Sequence, residues 1–115
     1  MGRATRLALA IALASAPAFA HHGWSEYDAS KPLKLTGKIL ESGYEHPHGH
    51  VVLHAADRKW NVVLAPPSRM EFRGLSKEML AAGGTASVEG YPNRSKPDEM
   101  RAERITIQGK TTELR

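Results

Sequence analysis

The sequence predicts an all-β domain with one short helical segment, a small five-stranded OB-like barrel in the order β-β-β-α-β-β. Three observations carry this expectation. Apolar residues recur at every second position through five short runs after residue 32, the period of half-buried strands. Helical signals gather in one stretch, directly after Pro66-Pro67. The chain has no cysteine to staple a small sheet, and such a sheet hides its edges best by closing on itself. A flat meander with a docked helix is the alternative.

His21 to Lys31 is an irregular lead-in (residues 21–31), and the barrel domain follows at 32–115. Pro32 marks the entry to the first strand. Leu33, Leu35, Gly37, Ile39 and Glu41 share one side and Lys34, Thr36, Lys38 and Leu40 the other, so alternation holds until Leu40 and the strand is expected to bend near Gly37 or Gly43. Pro47 and Gly49 punctuate the turn into His50 to Ala55, where Val51, Leu53 and Ala55 face the core. Asp57-Arg58-Lys59 reads as a polar reversal into a third strand from Trp60 to Ala65. Ser68, with Glu71 three residues on, fits a capping box, and Gly74 splits the helical stretch Ser68 to Ala82. Ser76 caps a second turn that Gly83-Gly84 closes. Thr85 to Tyr91 and Arg101 to Gln108 are strands four and five, joined by the loop Pro92 to Glu99, and Lys110 to Arg115 reads as a polar tail. Val51, Leu53, Val62 or Val63, Val88, Ile105 and Ile107 are the expected core.

Residues 1–20 have the three-part order of an export signal. Arg3 and Arg6 supply the positive start, Leu7 to Ala14 the apolar run, and Ala18-Phe19-Ala20 the small-x-small cleavage site. A membrane anchor needs roughly 20 apolar residues, and this run meets Ser15 and Pro17 first. The expectation is a periplasmic protein that begins at His21 and has no membrane span after processing. Loss of Arg3 and Arg6 takes the formal charge from +4 to +2. Such a balance, with signs interspersed, gives little pull on nucleic acid or anionic lipid. Absence of cysteine excludes thiolate catalysis and Cys-ligated zinc or iron–sulfur centres.

All six histidines lie after residue 20: His21 and His22 at the new terminus, then His46, His48, His50 and His54 in EHPHGHVVLH. In a fully extended strand the second group would share one parity, opposite Val51 and Leu53; with Pro47 and Gly49 in the turn, only His50 and His54 are expected to share a face. Imidazole without thiolate suits copper(II), zinc or nickel, copper(II) binding most tightly at a given site. A terminal histidine adds its α-amine, which titrates at about 7.7–8.0. Amine and ring Nδ1 of His21 together chelate one ion, and a ring from elsewhere completes a three-nitrogen histidine brace. His22 competes through its own ring. The metal candidates are therefore His21, His22, His48, His46 and His50. The bland reading is that the terminal pair is a polar lead-in and the others are exposed strand residues.

AHHGW at the processing junction, KPLKLTGKI, the HPH turn, LSKEMLAAGGTASVEGYP and the closing RAERITIQG together resemble the small exported bacterial proteins of domain of unknown function 6152. The resemblance spans nearly all of the chain after residue 20 and implies a periplasmic, single-domain, β-rich protein; it supplies no activity. It implies that His21, His22 and His48 match the family pattern. His46 stands where the family usually has Asn, His50 where an aromatic residue is common and His54 where an acid is common.

Other groups are weaker. Glu26 and Asp28 are able to accept from ring N–H groups, but the better reading is solvated loop charges. Trp24, Tyr27, Tyr44, Trp60 and Tyr91 line a cleft or fill the core. Met70, Met79 and Met100 are soft ligands or, as Met79's helical spacing suggests, core filling. Arg94, Lys96, Arg101 and Arg104 form a basic patch diluted by Asp98, Glu99 and Glu103. The leading expectation is a copper-binding carrier or buffer whose partner is the metal ion and in addition another periplasmic protein. The runner-up is a non-metal binding module that docks a protein or oligosaccharide. A copper oxidoreductase ranks last, because so short a chain has little surface left to shape a substrate site.

Overall fold

The computed structural model describes residues 23–115; the leader, His21 and His22 lie outside the described residues. Six strands follow the lead-in: β1 (Leu33–Gly43), β2 (His50–Ala55), β3 (Arg58–Val63), β4 (Thr85–Pro92), β5 (Glu99–Ile107) and β6 (Lys110–Glu113). A helix, α1 (Pro67–Phe72), and a 3-10 turn at Lys77–Leu80 fall between β3 and β4. The strand order is β3-β2-β1-β4-β5-β6, and a parallel pairing of β3 with β5 closes the first five into a barrel. That is the expected OB-like order. No helix among the described residues is long and apolar enough to cross a membrane.

β1 makes closure possible by serving two partners. Its first half pairs with β4 and its second half with β2, with Lys38 common to both. A bulge at Leu40 shifts the register between Ile39 and Glu41, so the break in alternation marks the bulge. Gly37 lies where a Cβ would collide with the His54 carbonyl oxygen; this close backbone approach admits no side chain.

Inside the barrel lie Leu35, Ile39, Val51, Leu53, Val62, Val88, Ile105 and Ile107, as the period-2 pattern requires. Val63 is only half-buried, so Val62 is the core member of that pair. Met70, Leu75 and Leu80, from α1 and the segment after it, are fully buried and join the same core.

Several local expectations shift. The reversal before β3 is made by Ala56 and Asp57, both at positive φ, because a two-residue loop of that handedness matches the twist of its strands. Arg58 and Lys59 therefore belong to β3, which ends at Val63. The capping box does not form. Pro66 is the N-cap and Pro67 the first helical residue, a position where proline's missing N–H costs nothing; Glu71 instead accepts from the Tyr44 hydroxyl. Ser76 takes the N-cap position of the 3-10 turn without a side-chain bond. The polar tail is a strand: Gln108 and Gly109, both at positive φ, turn the chain into β6. β6 pairs with β5 outside the closed ring and buries Thr112 on the way to Leu114, also buried.

Candidate functional site

The site forms where the lead-in, the β1–β2 turn and the start of β5 meet. Backbone bonds fasten the lead-in to the β4–β5 loop: Asp28 N–H donates to Pro92 O and Arg94 N–H to Glu26 O, each at 2.9 Å, around a bridge between Tyr27 and Asn93. The Tyr27 hydroxyl donates to the Glu99 carboxylate, which Asn93 also bonds. Burial, then Glu99, raises the Tyr27 pKa and keeps the phenol protonated.

β5 carries a second bulge. Glu89 pairs with Arg104 and Gly90 with Ala102, leaving Glu103 as the extra residue. A Cβ on Gly90 would collide with the Arg101 carbonyl oxygen, so this glycine lets β4 approach closely at the residue that matters most. Met100 and Ala102 fill the core, and Arg101 points to the outer face of the sheet by strand parity, yet it is only 7% exposed. The lead-in covers it: the Trp24 ring lies 4.3 Å from the Arg101 guanidinium and 4.5 Å from that of Arg115. Trp24 in turn packs edge-on to Tyr27 and Tyr91.

The β1–β2 turn contains a cis His46–Pro47 bond and is pinned by Gly49, whose N–H donates to Ala65 O and whose carbonyl accepts from Leu64. A Cβ there would come within 2.5 Å of the Met70 methyl. The pinned turn delivers His48, half-buried, against Arg101, with Nη2 to Nε2 at 3.3 Å. Arginine only donates, so Nε2 accepts and the imidazole carries its proton on Nδ1. Burial first, then the charges of Arg101 and Arg69, lowers the His48 pKa below the usual imidazole value and holds the ring neutral. Glu26, Tyr27, Pro47, His48, Val63 and Arg101 line a cleft of about 530 Å³.

Of the expected ligands, only His48 reaches this cleft among the described residues. His46 is exposed in the turn. His50 lies over Gly43 beside Tyr44, Glu45 and Lys77, and His54 is exposed on β2 between Lys38 and Lys59. His50 and His54 share the exposed face of β2 as expected, and before Gly49 the turn leaves extended geometry. Among the described residues no three His, Asp or Glu side chains stand ready to hold a metal ion. Met70 and Met100 are core. Asp28 accepts from Ser30 rather than facing a histidine.

Sequence reasoning missed Arg101 by counting it with a solvated patch. The structure disperses that patch: Arg94 bonds the Ser25 carbonyl, Arg104 pairs with Glu113, and Arg101 is buried alone. Its one signal in sequence is an outward-parity cation in a strand whose neighbours are core.

Residues 9–101 match the model of a family of unknown function (DUF6152). The chain belongs to this family. The match includes the HPH turn and Arg101, so the DUF6152 segment contains both sides of the contact described above. None of the curated proteins compared with the chain matches it. Among solved structures, this DUF6152 chain is similar to part of TiaS in its complex with an isoleucine tRNA and ATP, with a TM-score of 0.52, 21% identity, 77% of this chain and 20% of that one covered. It is similar also to the ZRD-deleted mutant of TiaS in complex with agmatine, with a TM-score of 0.52, 21% identity, 76% of this chain and 25% of that one covered. The chain thus spans a quarter or less of these proteins. At this identity the likeness is one of fold.

Proposed function

We propose that the protein is a binding module of the periplasm that takes a small ligand in the cleft between the lead-in, the β1–β2 turn and β5. The observation that carries this reading is the cleft itself, about 530 Å³, a size in the range of small-molecule sites. It opens beside the β1–β2 and β4–β5 loops, where barrels of this type commonly take ligands. Its lining offers hydrogen-bonding groups, Tyr27, His48 and Arg101, on apolar walls from Pro47 and Val63, and includes no Ser, Thr or Cys nucleophile. A screen of small organic compounds by NMR tests it. Ligands are expected to shift the ring signals of Trp24, Tyr27 and His48, and Val63→Phe, which fills the cleft, to abolish the effect. Hits that map instead to the outer face of β2, around His54 and Lys59, defeat the reading.

A second reading, copper carriage or buffering, keeps one specific support. The lead-in runs back over the site, with Trp24 against Arg101 and Glu26 and Tyr27 beside His48. His21 stands three residues before Trp24, about 10 Å of extended chain, and the His48 Nδ1 has no hydrogen-bond partner among the described residues. It ranks second because a cation arriving at His48 meets the charges of Arg101 and Arg69. Copper(II) titration of protein starting at His21, beside a Met-extended form, tests it, with zinc and nickel as comparisons. Equal affinity in the two forms removes the terminal amine from the site.

A further inference from the structure

Resting on the binding-module reading, we infer that the cleft selects an organic carboxylate: the anionic head meets Arg101 and the apolar body lies along Pro47, Val63 and the Tyr27 ring. Arg101 is 7% exposed and its Nε has no hydrogen-bond partner. It forms no ion pair among the described residues; its polar contact is the His48 ring. A buried cation without a counter-ion is costly, and native structures retain one where something else supplies the charge.

The neighbouring acids are otherwise engaged or poorly placed. Glu99 accepts from Tyr27 and Asn93, and Glu103 pairs with Arg115 and accepts from Tyr91. Glu26 lines the same cleft but makes no ion pair with Arg101 among the described residues, and neither does Glu99 or Glu103. His48 extends the donor set. With Nε2 occupied by Arg101, its Nδ1–H remains to donate. Planar pairing to a guanidinium suits a carboxylate, and the apolar walls favour an acid with a hydrocarbon body over bare phosphate, which would leave those walls wet.

The test uses protein purified from the periplasm of an expression host. Benzoate, cyclohexanecarboxylate and octanoate are titrated beside their neutral amides and beside inorganic phosphate, and the Arg101 Nε–H and His48 ring signals are followed by NMR. Carboxylates are expected to shift both signals, with the amides and phosphate at least tenfold weaker. Arg101→Gln is expected to weaken carboxylate binding about 10- to 100-fold, the loss of one charge-assisted hydrogen-bonding group, and Glu26→Gln to tighten it. Acids and amides binding alike would overturn the inference while leaving the binding-module reading intact. Phosphate binding as well as the carboxylates would overturn the apolar-body part. No carboxylate moving either signal would overturn the whole inference; the broader screen then decides the binding-module reading separately. The comparison of acid with amide is made on the unaltered protein and does not depend on any variant folding.

Discussion

Arg101 and His48 are coupled, and each has a measurable signature. An unpaired buried guanidinium spends stability that an apolar side chain of similar reach would not. Arg101→Met is therefore expected to raise the unfolding free energy by about 1 kcal/mol in ligand-free protein, even after loss of the stacking on Trp24. Denaturant melts check this; a loss of stability would mean that the guanidinium is well compensated in the folded state. His48 gives a pH effect of definite sign. Its folded pKa lies below its ordinary value of 6.5, so between the two values the unfolded chain binds more protons. This contribution to stability is full above pH 6.5 and is lost as pH falls from there through the lowered folded value. His48→Gln, which retains an acceptor for Arg101 but does not titrate, is expected to flatten the dependence of stability on pH below the ordinary imidazole value of 6.5.

Among elements, β6 shows how little of a strand's role its composition reveals. KTTE is polar, and its value lies in carrying Thr112 and Leu114 onto the barrel, with Leu114 N–H bonded to Glu103 O. Leu114→Ala is expected to cost about 2 kcal/mol, the low end for a buried leucine because the chain end relaxes easily. It is also expected to perturb the cleft, since the Leu114 carbonyl accepts from Arg69 and the next residue stacks on Trp24. Unfolding curves and the Trp24 ring signals report the two effects. Gln108-Gly109 between two extended runs was the available turn signal. The helical stretch was legible as far as its division at Gly74, which takes φ +83°. Its start was not, because Pro67 supersedes Ser68 as the point of entry.

For the molecule as a whole, closure by the β3–β5 pairing sets which loops converge, and so puts the β1–β2 turn beside the start of β5. The lead-in then completes the site from outside the barrel. Its position there is fixed by its backbone bonds to the β4–β5 loop. Mass spectrometry of exported protein is expected to find His21 as the first residue. A start several residues further on would remove Trp24, expose Arg101 and dissolve the cleft wall.

By itself the sequence determined the barrel, because its evidence is local: period-2 burial, turn residues, one helical stretch divided at Gly74, and a core drawn from alternate positions. The family membership was legible too, in motifs that keep their order along the chain. Only the tertiary structure decided the site. His48 and Arg101 are 53 residues apart, and Tyr27 and Glu99 are 72 apart, so no local pattern records their meeting. Four histidines of one parity looked like one ridge, but the pinned turn at Pro47–Gly49 sends His48 inward while His46 and His50 stay in solvent. Arg101 read as one member of a diluted basic patch, and it is buried because a separate segment lies across it. Burial from the core side follows alternation; burial from the outside depends on what the rest of the chain brings over.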